Sequence, residues 1–443
     1  MIGKEADATA PLQGEAALIR AVGGLALAAA VINIIVGGGI FRMPSALAAQ
    51  MGAAAPIAIF AGAFAIVPIA LCFAAVGSRT LATGGPYTYA GAAFGPFAGF
   101  IAGALMWISN FASSAGVAAA LSVQVANLAP AFATPWLRAL LLTGVYAVLY
   151  GLNAFGVKLG ARAIATMAAL KLTPLFALVA MGLFFVDWHQ VAFGVGDIPS
   201  WGALGASMVL VMFAYSGMET ALVPSGELTD PSRNVPRATL AAIAIVVLLY
   251  LGLQIVGQGV IGARLATSGV PLADTAGALW PWGRTLLLLT ACISMSGFLL
   301  GNLLGSSRLL FALGRDGYLP TSFARVSAKH RVPQLALIVH AALAWLLALG
   351  GNFDALALIS GGAICLVYIL VSLAAWRTQS IGLKERGAPF VLPGGPLIPA
   401  IAVVAMGLIV ATLSSKEWIA IGIALAALVA LYGALTAWRQ ARR

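Results

Sequence analysis

Apolar residues occur in long runs along this chain, and polar residues are confined to short stretches between the runs. A helical run of roughly 18 to 25 apolar residues crosses about 30 Å of hydrocarbon. The pattern predicts an all-α polytopic membrane protein with twelve transmembrane helices, two of them broken. We call them spans 1 to 12; they lie at 18–50 (broken near 37), 53–77, 94–127, 136–152, 162–186, 200–227 (broken near 215), 237–261, 284–313, 334–350, 354–376, 397–413 and 418–438.

Composition supports a membrane protein and excludes a soluble domain. Of the 443 residues, 62% are hydrophobic and 8% are charged, and the mean hydropathy is +1.02. The first apolar run belongs to a full span, so no cleavable signal is predicted. The three cysteines lie in predicted spans, and the three histidines lack metal-ligand spacing. We therefore expect no disulfide framework, no metal and no cofactor.

Lysine and arginine residues are distributed unevenly over the predicted topology. With the N-terminus in the cytoplasm, eighteen of the 24, Arg308 among them, fall on the cytoplasmic side; four fall outside, and Arg42 and Lys171 lie within spans. Basic loops favour the cytoplasmic side. The expectation is a multi-pass protein of the inner (plasma) membrane with cytoplasmic N- and C-termini. The net charge of +11 then reflects topology, and no nucleic-acid partner is predicted.

Glycines interrupt two of the spans, in INIIVGGGIFRMP (32–44) and FAYSGMETALVPSGEL (213–228). A helix that unwinds inside a membrane leaves bare backbone groups, which is tolerated only where they line a cavity or hold a ligand. Gly37 to Gly39 offer amides at a new helix start, which suits a carboxylate. Carbonyls at the second break would accept hydrogen bonds from an ammonium group. A zwitterion satisfies both breaks, although glycines also permit close helix packing.

The positions of the breaks predict the organisation of the chain. Spans 1 and 6 cross in opposite directions, as an inverted repeat of spans 1–5 and 6–10 requires, with spans 11 and 12 appended. The predicted parts are a cytoplasmic N-terminal segment at 1–17, a first repeat at 18–186, a second repeat at 200–376, two further helices at 397–438 and a cytoplasmic tail at 439–443.

Five segments resemble the corresponding stretches of amino acid permeases in the amino acid-polyamine-organocation (APC) superfamily. The resemblance runs from about residue 20 to residue 335 and implies a LeuT-like fold, that is, a five-plus-five inverted repeat with alternating access to a central site. The segments are GGGIFRMP (37–44), GGPYTYAGAAFGPFAGF (84–100), NAFGVKLGARAIATMAALKLTPL (153–175), FAYSGMETALVPSGELTDPSRNVPRA (213–238) and SSRLLFALGRDGYLP (306–320).

The resemblance also implies roles for individual residues. The glycines of the first break match a Gly-Ser-Gly turn that holds the substrate carboxylate, with Gly38 in place of the serine. Backbone carbonyls at both breaks match those that hold the amino group, and Phe213 matches an aromatic residue that covers the substrate. Residues of spans 3 and 8 match the side-chain end of the pocket. The predicted substrate-binding residues are Ile35, Gly37, Gly38, Gly39, Met106, Asn110, Phe213, Ala214, Ser216 and Asn302.

Ionisable residues within spans are costly and require an explanation. In the resembling permeases a lysine at the position of Lys171 takes the place of a sodium ion, close to span 1 backbone and a span 8 hydroxyl, for which Ser306 or Ser307 would serve. Such a lysine argues against sodium coupling, and it is either a proton carrier or a permanent structural cation. Glu219 either titrates or forms a structural link. Arg42 and Glu227 lie nearer the ends of the half-helices and receive no chemical role.

The favoured function is secondary active transport of neutral L-amino acids by alternating access, coupled to protons or to exchange and not to sodium. Spans 3 and 8 contain no Asp or Glu that could pair with a cationic substrate side chain. An amine or polyamine exchanger of the same fold is the alternative. An enzyme is not predicted, because His, Cys and carboxylate clusters are lacking. A channel would need a filter motif or a charged ring. The expected partners are an amino acid, the lipid bilayer and, in the proton-coupled case, protons; the oligomeric state stays open.

Overall fold

The computed structural model describes residues 12–13, 22–80, 82–155, 157–192, 194, 200–224, 227–351, 353–385, 388–413 and 415–441. Most of the predicted N-terminal segment at 1–17 lies outside these residues, and so do the last two residues of the predicted tail. Helices account for nearly all of the described chain, as the apolar pattern predicts. The one described two-stranded sheet pairs β1 (Leu12–Gln13) with β2 (Arg325–Val326) in antiparallel register.

The described residues form sixteen α-helices, numbered here in chain order. They are α1 (Gly24–Ile35), α2 (Gly39–Met51), α3 (Ala55–Gly77), α4 (Pro86–Phe94), α5 (Pro96–Leu128), α6 (Pro135–Ala154), α7 (Val157–Gly182), α8 (Trp201–Tyr215), α9 (Met218–Ala221), α10 (Pro231–Ile261), α11 (Pro271–Leu279), α12 (Gly283–Arg315), α13 (Gln334–Gly350), α14 (Phe353–Ser380), α15 (Leu397–Ala411) and α16 (Ser415–Ala441).

The helices have the length and surface of membrane-spanning segments. Eight helical stretches in the described residues are long and apolar enough to cross a bilayer, and four shorter apolar helices accompany them. Large apolar side chains point outward, with Phe184 88% and Leu248 69% exposed. Such a surface is stable against lipid and not against water. The structure thus agrees with a polytopic membrane protein, while the number of twelve spans stays a prediction.

Both predicted interruptions are present. The first separates α1 from α2 at residues 36–38, and the second separates α8 from α9 at Ser216 and Gly217. The second half of span 6 is shorter than predicted, because α9 contains four residues and a turn follows it at residues 222–224. Broken helices are therefore a property of this fold and not only of its sequence pattern.

Two short helices were not predicted, and their positions match each other. Nine-residue α4 precedes 33-residue α5, and nine-residue α11 precedes 33-residue α12. Each short helix starts with a proline, which suits the first helical turn. The same order of a broken helix, a long helix, a short helix and a 33-residue helix therefore occurs in both halves of the chain.

The centre of the bundle is built from α1, α5, α12 and α14. Helix α5 packs against both α12 and α14, and α12 also packs against α1. We call the end of the bundle where α1 begins the proximal end, and the end where α5 finishes and α6 starts the distal end. At the proximal end the backbone of Val22 pairs with residues 227–229, and Tyr87 donates a hydrogen bond to Asp316. These contacts tie the segment before α1 to the segment before α10, and α4 to the end of α12.

Candidate substrate site

The two interrupted helices cross at their breaks. A Cβ added to Gly217 would lie 2.9 Å from the backbone nitrogen of Ile35, and one added to Gly39 would lie 3.1 Å from the Cα of Ala214. Gly217 also has a φ of 137°, a value that residues other than glycine rarely adopt. Glycine is thus required at Gly217 both by its backbone conformation and by the approach of α1. The backbone conformation of Gly217 is a local demand, whereas the approach of α1 is not.

The first break is a tight turn followed by a new helix start. Val36 has φ −74° and ψ 64°, the values of an inverse γ-turn, and the Gly37 amide donates to the Ile35 carbonyl at 2.7 Å. The amides of Gly38 and Gly39 lie at the start of α2, where a helix offers no internal acceptor. Of the three amides predicted to bind a carboxylate, the Gly37 amide is already bonded, and those of Gly38 and Gly39 lie at a helix start, the position that suits an anion.

The side chains around the glycines are in close contact with them. A Cβ on Gly37 would come within 2.7 Å of the Phe298 ring, and one on Gly38 within 2.8 Å of Val117. Phe213 lies on the other side, where its Cε1 is 3.6 Å from the position of a Gly39 Cβ. Its ring packs edge to face on Phe353 at 5.7 Å between centroids. Phe213, the predicted covering residue, therefore lies beside Gly39 of the first break.

Lys171 of α7 bonds to the unwound part of the first broken helix. Its side chain is fully buried, and its Nζ donates to the carbonyls of Asn33 and Val36 at 2.6 Å each. Ser294 of α12 donates to the same Val36 carbonyl at 2.6 Å. The ammonium thus supplies the donors that the unwound backbone lacks.

The prediction that Ser306 or Ser307 supplies the hydroxyl beside Lys171 is wrong. Ser306 donates to Asn302, and Ser307 donates to the Leu304 carbonyl, so neither serves the unwound backbone. Ser294 serves instead, twelve residues earlier on α12. At 1.5 Å per residue this is about 18 Å along the helix. The sequence identified the correct helix but not the turn that faces α1.

The carbonyls of Ile35 and Phe213, two of those predicted to hold the amino group, are not bare. The Ile35 carbonyl accepts from the Tyr250 hydroxyl at 2.8 Å as well as from Gly37. The Phe213 carbonyl accepts from the amide and the hydroxyl of Ser216, at 3.2 and 2.7 Å. A carbonyl oxygen has two lone pairs, so both acceptors are fully used in this conformation. An ammonium group would have to displace one of these internal donors.

Tyr250 of α10 was missed by the sequence reasoning. Its hydroxyl donates to Ile35 and lies 3.2 Å from the Ala214 carbonyl, which joins the two breaks through one side chain. It is fully buried and stacks on Tyr215. A tyrosine in the middle of a span is a usable signal, because its buried hydroxyl needs a partner.

A network of neutral polar side chains joins α5, α9 and α12. Asn110 donates to Ser306 and accepts from Thr220, at 3.0 and 2.9 Å. Ser306 and Ser114 both donate to Asn302. The structure thus brings together Asn110 and Asn302, as predicted from spans 3 and 8. Met106, also predicted, is fully buried one turn before Asn110 on α5.

Glu219 links the second break to α14. One carboxylate oxygen accepts from the Gly217 amide at 2.8 Å, and the other accepts from the Tyr368 hydroxyl at 2.8 Å. Glu219 is 2% exposed. Both oxygens therefore have a structural partner, and the carboxylate holds the conformation of Gly217.

Glu227 and Arg308 form a buried ion pair near the proximal end. The Arg308 Nε lies 2.9 Å from a Glu227 oxygen, and both side chains are 0% exposed. Arg308, one of the basic residues expected on the cytoplasmic side, lies about two turns before the end of α12 and is buried there. A buried pair of this kind fixes Glu227, whose carbonyl in turn accepts from the Val22 amide.

Comparison with known proteins places these observations in a family context. A model of the amino acid permease family matches residues 22–435. The serine/threonine exchanger SteT of Bacillus subtilis is 28% identical over 384 residues, which cover 84% of this chain and 86% of that protein. The branched-chain amino acid permease BcaP of the same organism is 26% identical over 426 residues, 90% and 89% of the two chains. An uncharacterised transporter of Mycobacterium tuberculosis is 30% identical over 363 residues, 80% and 78%.

Proposed function

The chain belongs to the amino acid permease family of the APC superfamily, and from this premise we propose that it transports neutral L-amino acids by alternating access. The family is one of membrane transporters and not of enzymes. The observation that carries the proposal is the crossing of the two glycine breaks, where Gly39 approaches the backbone of Ala214 and Gly217 approaches the backbone of Ile35. An α-amino acid has the two charged groups that such a crossing can bind.

The preference for neutral side chains is supported by the polar network beside the breaks. Asn110, Asn302, Ser306 and Thr220 offer amide and hydroxyl groups and no charge. Glu219 is the carboxylate nearest the second break in the sequence, and both of its oxygens already accept hydrogen bonds. The names of SteT and BcaP refer to serine, threonine and branched-chain amino acids, all of them neutral.

Lys171 supports transport without sodium. Its ammonium group is bonded to the Asn33 and Val36 carbonyls, and Ser294 shares one of them. Carbonyl and hydroxyl oxygens of this kind are the ligands that a sodium ion would take, and the ammonium already provides a positive charge there. Coupling to protons or to counter-transported amino acid is then the remaining energy source. Whether Lys171 carries the proton is a separate part of the proposal.

We further propose an inverted repeat of spans 1–5 and 6–10 within a twelve-span topology. The spans would lie in the plasma membrane, and both termini would lie in the cytoplasm. The repeated order of a nine-residue helix and a 33-residue helix supports the repeat. The uneven distribution of Lys and Arg supports the orientation. Alternating access would then rock one set of helices against the other around the crossing.

The test is uptake of a radiolabelled amino acid panel by proteoliposomes containing the purified protein. We expect uptake of neutral L-amino acids that is unchanged when sodium is replaced by choline. A pH gradient should stimulate uptake in the proton-coupled case, and internal unlabelled amino acid should stimulate it in the exchange case. Uptake of no amino acid would refute the proposal. Uptake of amines in preference to amino acids would favour the amine or polyamine exchanger.

A further inference from the structure

Helix α16 lies outside both proposed repeats and packs loosely on the bundle. None of its described side chains is buried. One face of the helix still packs on the core, and its residues recur every three or four positions: Leu425, Leu428, Tyr432 and Leu435. Tyr432 is the aromatic residue of this face. The groups that Tyr432 contacts therefore show what α16 can influence.

The ring of Tyr432 packs on three other rings at the proximal end. Its centroid lies 5.1 Å from that of Phe97 and 5.5 Å from that of Phe100, both on the first turns of α5. It lies 5.9 Å from that of Tyr318, with 29° between the two ring planes. Aromatic pairs at such distances are stabilising beyond the area that they bury. Tyr432 thus fixes α16 to the start of α5 and to the segment that follows α12.

Tyr318 belongs to the capping motif that ends α12. Its amide donates to the Leu313 carbonyl at 2.8 Å. The Gly317 amide donates to the Gly314 carbonyl at 3.1 Å, and Gly317 has a φ of 78°. These bonds define a Schellman motif, in which Asp316 occupies the C-cap position. Because the motif fixes Tyr318 relative to Asp316, a displacement of the Tyr318 ring also displaces the Asp316 carboxylate.

The Asp316 carboxylate holds α4, and α4 in turn lies against the second broken helix. Tyr87, the second residue of α4, donates its hydroxyl to Asp316. Just before α4, the Gly84 amide donates to the Val223 carbonyl at 2.9 Å. A Cβ added to Gly85 would lie 3.2 Å from the Cα of Val223. The start of α4 is therefore in direct contact with the turn that follows α9.

We propose that Tyr432 is a positioning residue for the second break. By packing on Tyr318 it holds Asp316 where Tyr87 bonds to it, and it thereby keeps the start of α4 against Val223. Helix α16 then controls how readily the bundle opens beside α9, since local opening depends on the contacts that hold a segment closed. The importance of this opening for transport rests on the proposed function, in which the second break helps to bind the substrate.

The opening is measured with a single thiol and without a transport assay. Val223 is fully buried and its side chain faces Gly85. The variant Val223→Cys, in a background in which the three native cysteines are replaced by alanine, therefore reacts faster with N-ethylmaleimide when α4 moves away. Thiol modification is followed over time in the purified protein in detergent.

Two substitutions along the series of contacts should raise the rate of modification. Tyr87→Phe removes the hydroxyl that bonds to the Asp316 carboxylate, and we expect a rate about tenfold higher. Tyr432→Leu removes the ring but keeps a large apolar side chain, and we expect a rate about fivefold higher. Tyr318→Leu removes the other ring of the stacked pair and should act as Tyr432→Leu does.

The combination of Tyr432→Leu with Tyr87→Phe separates a positioning role from a general effect on packing. If Tyr432 acts through Asp316, its ring has no further effect once the Tyr87 hydroxyl is absent. The double variant should therefore react no faster than Tyr87→Phe alone. Multiplication of the two factors would overturn the proposal, because Tyr432 would then act independently of Asp316.

Two control variants on α16 complete the test. Tyr432→Phe keeps the ring and should leave the rate unchanged. Leu428→Ala shortens a side chain on the same face of the helix, one turn earlier, and should change the rate by less than about twofold. An unchanged rate in Tyr432→Leu, or an equal increase in Leu428→Ala, would overturn the proposal. If the expected rates are found in a protein that transports no amino acid, the positioning role stands and the proposed function is refuted.

Discussion

Replacing Tyr250 by phenylalanine removes a hydroxyl that bonds to both breaks. The ring is kept, so the packing against Tyr215 should persist. Two neutral hydrogen bonds are lost, to the Ile35 carbonyl at 2.8 Å and to the Ala214 carbonyl at 3.2 Å. At about 0.5 to 1.5 kcal/mol per net hydrogen bond, we expect Tyr250→Phe to lower the free energy of unfolding by about 1 to 3 kcal/mol.

Tyr215→Phe is the matched control for this change. It removes the same atom from the other member of the stacked pair, but the Tyr215 hydroxyl makes one longer bond, 3.3 Å to the Ile59 carbonyl, away from the breaks. We expect a loss of about 0.5 kcal/mol or less. The assay is thermal unfolding of the purified protein in detergent, followed by intrinsic fluorescence.

The expected difference is small but measurable. For a chain of 443 residues, a loss of 1 kcal/mol in the free energy of unfolding lowers the midpoint of thermal unfolding by about 1 °C. Tyr250→Phe should therefore lower the midpoint by about 1 to 3 °C, and Tyr215→Phe by less than about 1 °C. Equal midpoints for the two variants would refute the reasoning that Tyr250 holds the two breaks together.

Three further sets of substitutions test the contacts around the breaks and at the proximal end. Lys171→Met removes two charge-assisted bonds and should lower the free energy of unfolding by about 3 to 6 kcal/mol; a protein that melts like the wild type would contradict this role. Gly217→Ala should lower the free energy of unfolding by about 1 to 3 kcal/mol because of the positive φ at this position, and contact of the new methyl group with α1 should add to the loss. Gly407→Ala is the control, because its methyl group meets no atom within 4 Å, and it should be neutral in the same melting assay. Glu227→Gln and Arg308→Met should each cost about 3 to 5 kcal/mol, and the double variant should cost clearly less than their sum; additive losses would show that the pair is not coupled.

The positions of the breaks could be predicted because their causes are local. A run of three glycines at the first break, and a glycine that adopts positive φ at the second, allow the backbone to leave the helical conformation at these points. The apolar runs likewise predicted most of the long helices, because each run had to fill the thickness of a bilayer. The short helices α4 and α11 were missed, since nine residues are too few to give a spanning pattern.

The partners of the unwound backbone could not be predicted, because they come from distant parts of the chain. Tyr250 bonds to a carbonyl 215 positions away, and Ser294 bonds to one 258 positions away. Which turn of α12 faces Lys171 depends on the rotation and height of a 33-residue helix, and spacing along the sequence does not determine either. The same limit applies to Arg308, whose burial depends on the approach of Glu227.

The central claim is that the crossed breaks bind both charged groups of an α-amino acid, and competition for uptake tests it most directly. The labelled substrate is the neutral L-amino acid that proteoliposomes take up fastest, and the competitors are the same unlabelled amino acid, its decarboxylated amine and its deaminated acid. We predict that each analogue inhibits at least about tenfold more weakly than the amino acid, because each lacks one of the two charged groups that the crossing is proposed to bind. Inhibition by the amine as strong as that by the amino acid would contradict the account.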